Sequence, residues 1–121
     1  MKKRHMYRVV DHAFLESAPI RVTVDQDLDC SPERLFEIFE DAEAWTDWLF
    51  LDDVNWTTEP PIQAGSARTV VAMPFEFDEV FTRWDHAEGL SFYFASGTTG
   101  LVAAFFEDYR VTRLGEHRCH I

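Results

Sequence analysis

The chain has 121 residues, 46% of them hydrophobic and 27% charged, which is enough for one domain with its own core and argues against a disordered chain. Its 22 acidic side chains against 11 basic ones leave a net charge of −11, a field that repels phosphate backbones and speaks against nucleic-acid partners. No apolar run reaches the roughly 20 residues of a membrane span. Met1-Lys2-Lys3-Arg4 is not followed by the apolar stretch of a secretory signal, so a cytoplasmic protein is expected.

Residues 1–13 mix basic and polar types and are expected to be loosely held. Ile20, Val22, Val24 and Leu28 share one parity while Arg21, Thr23, Asp25 and Asp27 share the other, which predicts a half-buried strand. Cys30-Ser31-Pro32-Glu33 then changes the period. Ser31 is a good N-cap, Pro32 suits the first helical position, and Glu33 complements the positive helix end. Leu35, Phe36 and Phe39 follow at helical spacing. Asp41 starts a second short helix with Trp45 and Trp48 as its apolar positions.

From residue 50 the pattern predicts strands to the end: 51–58, 67–73, 75–84, the alternation Leu90/Phe92/Phe94, a long strand 101–113, and the start of another over 117–121. Glu59-Pro60-Pro61 and Pro74 interrupt the ladder because proline has no backbone donor. Short segregated helices with an antiparallel meander define an α+β class. Aromatic residues make up 15% of the chain, eleven of them Phe. A curved sheet with that aromatic face must bury it against something. Two short helices are too small, so the chain is expected to be C-terminally incomplete or its open face covered by a partner.

The order of these segments resembles the SRPBCC superfamily of START-like, polyketide cyclase/dehydrase and lipid-transport domains. The likeness spans residues 14–121 and rests on three stretches. The first is Val22-Thr23-Val24-Asp25 followed by Cys30-Ser31-Pro32-Glu33-Arg34-Leu35-Phe36 and by Asp41-Ala42-Glu43-Ala44-Trp45-Thr46-Asp47-Trp48. The second is the loop from Glu59 to Arg68 with its Gly65-Ser66-Ala67-Arg68 ending. The third is Glu79, Trp84-Asp85, Tyr93 and Glu107-Asp108-Tyr109-Arg110-Val111. The resemblance implies a helix-grip fold, in which a curved antiparallel sheet wraps a long C-terminal helix around an apolar cavity. That helix has no counterpart in this sequence, and a second copy covering the open face is one replacement for it.

Within that expectation the rings of Phe75, Phe77, Phe81, Phe92, Phe94 and Phe105 or Phe106 either wall a ligand cavity or form plain core. Trp56, Val71, Met73, Phe77, Phe81, Phe92, Phe94 and Phe106 are the apolar candidates for ligand contact. Arg83 and Asp108 are the polar ones. Glu79 shares parity with Arg83, so Glu79, Arg83 and Asp108 either orient a polar ligand group or pair on the outer face. Acid–base chemistry stays open through Tyr93, Tyr109, Glu79 or a histidine, with Glu79 and Tyr93 as the weak candidates and no motif fixing a catalytic set. His117 and His120 point to opposite faces of a strand, as do the neighbours Cys119 and His120, so they make no metal site, and no cofactor is implied. Cys30 and Cys119 are too few for a disulfide scaffold, and Cys30 is expected to be buried and inert. Three functions stay open: binding or transport of a hydrophobic small molecule such as a lipid, polyketide or aromatic metabolite; a cyclase, aromatase or dehydratase; and an interaction protein whose concave face grips a partner helix.

Overall fold

A computed structural model describes residues 3–121, the side chain of Trp48 excepted. It is an α+β fold with an open, mostly antiparallel sheet and three short helices among the described residues. The first is a single turn, α1 (Phe14–Ser17). Helix α2 (Pro32–Glu40) begins where the sequence predicts. Ser31 Oγ accepts from the Arg34 backbone N–H at 3.1 Å, and Pro32 occupies the first turn, where no intrahelical donor is needed. Leu35, Phe36 and Phe39 form its buried stripe. Helix α3 (Ala42–Trp48) follows directly, capped by Asp41, which accepts from Glu43 N–H at 3.0 Å. The expected packing of the Trp48 ring lies outside the described side chains. Removing the first cap with Ser31→Ala is expected to cost about 1 kcal/mol, while Ser31→Asp retains it. Thermal unfolding of the two variants checks this.

The main sheet has six strands. Strands β3 (Asp53–Trp56), β4 (Ala67–Ala72), β5 (Phe75–Asp85), β6 (Gly89–Gly97) and β7 (Phe106–Arg110) form the antiparallel meander. The sixth is β1 (His5–Met6), which pairs with Ser96 and Gly97 of β6. A separate three-stranded sheet joins β2 (Asp27–Leu28), β9 (Arg118–His120) and β8 (Thr112–Gly115) in that order. The aromatic inner side of the main sheet packs on α2 and α3, with Phe36, Phe39, Trp45, Phe81, Leu90 and Phe92 at its centre.

Three expectations change. The segment over residues 1–13 docks rather than hanging free, as far as residues 3–13 are described. Tyr7 is buried, its backbone N–H donates to Ala95 O at 3.1 Å, and its hydroxyl donates to Thr99 O at 2.7 Å. The long strand over 101–113 is broken into β7 and β8, which belong to different sheets. The reason is competition for one edge. The first half of β6 pairs with β7, while β1 and Tyr7 take its second half. Residues 101–105 are thereby displaced, although Phe105 O still accepts from Phe94 N–H at 3.2 Å.

The predicted strand over 20–28 is paired only at its end. Gln26 exchanges both backbone hydrogen bonds with Ile121, and Asp27 and Leu28 face His120 and Cys119. Over residues 20–25 no described residue offers a backbone partner, and Ile20, Val22 and Val24 are 83%, 84% and 86% exposed. The alternation there is real, but it has no surface to bury against. Cys30 is half-buried, and it stands beside fully buried Cys119. Burial first, and Cys30 second, push the Cys119 thiol up to about 11, so it stays protonated and unreactive near neutrality. Among the described residues no helix is long and apolar enough to cross a membrane.

Candidate functional site

The two-residue turn at Met73-Pro74 sets Ala72 opposite Phe75, and the antiparallel count then places Arg68 opposite Glu79. On the other side of β4, Arg68 faces Trp56 of β3. Arg68, Val70 and Ala72 therefore share the inner face with Phe77, Glu79 and Phe81. Strands β6 and β7 add Phe92, Phe94, Glu107 and Tyr109 to it. A cavity of about 130 Å³ opens among these residues, walled by Trp45, Leu51, Val70, Phe77, Phe92 and Phe94 and floored by Arg68, Glu79, Glu107 and Tyr109.

The floor is a buried ion pair. Arg68 and Glu79 are 2% and 3% exposed, and Arg68 Nε donates to Glu79 Oε1 at 2.6 Å. The guanidinium lies 4.0 Å from the centroid of the Trp45 ring, with Phe81 and Phe92 at 5.0 and 5.1 Å. A cation over the negative faces of aromatic rings is attracted to them, and more so out of water. Burial raises the Glu79 carboxyl to about 7, against the pull of Arg68 and with added repulsion from Glu107. Glu107 is raised too, chiefly by burial, although the Tyr109 hydroxyl donates to its Oε1 at 3.0 Å. One fixed positive charge thus sits with two carboxyl groups that resist ionisation.

The sequence-derived candidates divide between two faces. Trp56, Phe77, Phe81, Phe92 and Phe94 lie on the inner face with Glu79. Val71 points to the opposite side from Val70, and Met73 is a 66% exposed turn residue. Phe106 packs edge-on to His12 at 5.2 Å on the outer face, and it is Phe105 that stacks on Phe94 at 4.2 Å. Arg83 and Asp108 are also outside. A β-bulge shifts the register between Phe81 and Arg83, so the shared parity of Glu79 and Arg83 does not survive along β5. Arg83 meets Asp108 at 3.4 Å, away from Glu79. Tyr93 borders a larger open trough of about 460 Å³ formed with the N-terminal segment, not the inner cavity.

Asp108 accepts from Ser91 Oγ at 2.6 Å and from Arg110 Nε at 2.9 Å. Its burial works to raise the carboxyl, but bonds from Ser91, Arg110 and His12 outweigh it and hold it low. Ser91, His12 and Asp108 do not form a nucleophilic relay. Ser91 Oγ and Asp108 Oδ1 both approach the same ring atom, His12 Nε2, at 3.1 and 3.3 Å. A relay needs carboxylate and hydroxyl on opposite ring nitrogens.

No family profile matches the chain, and no solved structure matches it. The chain is 38% identical over 101 residues to uncharacterised proteins of Mycobacterium bovis and Mycobacterium tuberculosis. The matched stretch is 82% of this chain and 60% of each relative, so the chain spans about three fifths of the curated relatives it matches.

Proposed function

We propose that the protein binds a hydrophobic small molecule in the inner cavity, as a member of the SRPBCC superfamily with a helix-grip type of sheet. One observation carries the reading: a cavity of about 130 Å³ with apolar walls and a charged floor lies between helix α3 and the sheet. Interiors normally pack without such space, and an apolar cavity of roughly 150 Å³ is known to accept benzene. The volume suits a single ring better than a long acyl chain. Apolar burial supplies the affinity.

Toluene titrated into the protein is expected to shift the resonances of Trp45, Phe92 and Phe94 saturably. Ala72→Leu, which fills the space from the sheet side, is expected to weaken that binding at least about tenfold without unfolding the protein. Undisturbed resonances at saturating toluene would remove the proposal. A second reading, acid–base catalysis on such a ligand, draws support from Glu79, whose carboxyl near 7 at the cavity floor suits proton transfer at neutral pH. Under that reading Glu79→Gln ends turnover while toluene binding persists.

A further inference from the structure

The guanidinium of Arg68 is under-used. It carries five N–H donors, yet its hydrogen bonding among the described residues is one bond, Nε to Glu79 Oε1 at 2.6 Å. Nη1 is buried with no hydrogen-bond partner. A side chain only 2% exposed, at the floor of a cavity, normally has its donors satisfied, because each buried unpaired group is costly. The rings of Trp45, Phe81 and Phe92 attract its charge but accept no conventional bond from its edge.

We infer that the cavity takes a small neutral carbonyl compound, a ring ketone or aldehyde, whose oxygen accepts a hydrogen bond from Arg68. This inference rests on the binding reading above and narrows its ligand class. Size and charge choose the class. The cavity holds about one ring and a short substituent. A carboxylate ligand would bring a third acidic group to a site where Glu79 and Glu107 already share one cation. A hydrocarbon would leave the guanidinium as unsatisfied as before. A neutral acceptor oxygen answers the donors and adds no charge.

The experiment compares acetophenone, toluene and benzoate, matched in their ring, by following the Arg68 Nε–H and Trp45 indole resonances. Acetophenone is expected to bind at least about tenfold tighter than toluene, equivalent to about 1.4 kcal/mol. It alone should move the Arg68 Nε–H signal strongly. Benzoate should be the weakest at pH 8. In the double variant Arg68→Met/Glu79→Gln, which removes both charges together, the advantage of acetophenone over toluene should vanish while toluene still binds. Equal affinities for acetophenone and toluene in the unaltered protein would overturn the inference and leave the cavity reading standing. Tightest binding by benzoate would overturn the neutral class. Absence of binding by all three would overturn the cavity reading and this inference with it. The comparison in the unaltered protein decides the matter even if the double variant does not fold.

Discussion

Arg68→Met with Glu79 left in place is expected to destabilise the protein by about 3–5 kcal/mol, enough to unfold much of a domain of ordinary stability. The cost arises from Glu79, 3% exposed, which without its cation must either hold a buried charge or take up a proton, rather than from the bond of 2.6 Å itself. Adding Glu79→Gln to Arg68→Met should therefore restore most of the loss, since a paired deletion leaves no uncompensated charge. Urea unfolding of the three proteins measures this, and a double variant as unstable as the single one would contradict it. The pH dependence follows from the same group. The carboxyl of Glu79 is raised from 4.5 to about 7 on folding, so the folded state holds this proton more tightly than the unfolded chain. Its contribution is fully present below about 4.5 and is lost as pH rises through about 7. Glu107, also raised, acts with the same sign, whereas Asp108, held low, adds its stability at higher pH and loses it only in acid. Stability should thus fall between about pH 4.5 and about pH 7, and Glu79→Gln should flatten that decline.

Trp45→Ala should cost about as much, roughly 3–5 kcal/mol, by leaving a large void at the junction of helices and sheet. Trp45 is fully buried, stacks on Phe39 at 5.4 Å, and lies under the Arg68 guanidinium. Its indole N–H also donates to Phe39 O at 2.7 Å. Trp45→Phe keeps an aromatic face for the cation and gives up that bond, so it should cost less. Calorimetric unfolding that ranks the two variants in the opposite order would place the support for Arg68 elsewhere.

The helix starts were legible because capping is local: Ser31, Pro32 and Asp41 state their positions within four residues. The strands β3 to β6 were legible from alternation and from the prolines that interrupt it. The floor of the cavity was half legible. The sequence marks an interruption at Pro74 but not the length of the turn; given the two-residue turn at Met73-Pro74 that the structure shows, counting back from it pairs Arg68 with Glu79. That count depends only on the turn, and Arg68 interrupts an otherwise apolar parity with Val70 and Ala72. The outer position of Arg83 was not legible, because a bulge between Phe81 and Arg83 reverses parity and leaves no mark in residue type. The inward place of Glu107 and of Tyr109, the latter open only as an acid–base residue, escaped for a related reason. Their side of β7 depends on which of Phe105 and Phe106 faces inward, and both rings satisfy either assignment. The break near residue 105 depends on β1 occupying the far half of β6, a long-range competition that no local pattern encodes.

The bare stretch before Gln26 bears on how these molecules behave toward one another. Its backbone groups are unpaired among the described residues, and three β-branched side chains stand in line on it at more than four-fifths exposure. A ribbon of this kind offers unpaired backbone groups to a like ribbon from a neighbour. The surplus of 11 negative charges is the counterweight, holding neighbours at a distance by mutual repulsion. Dissolved salt shortens the reach of that repulsion to about 8 Å at physiological strength, so light scattering is expected to rise as salt is added to a concentrated solution and to stay low in dilute buffer.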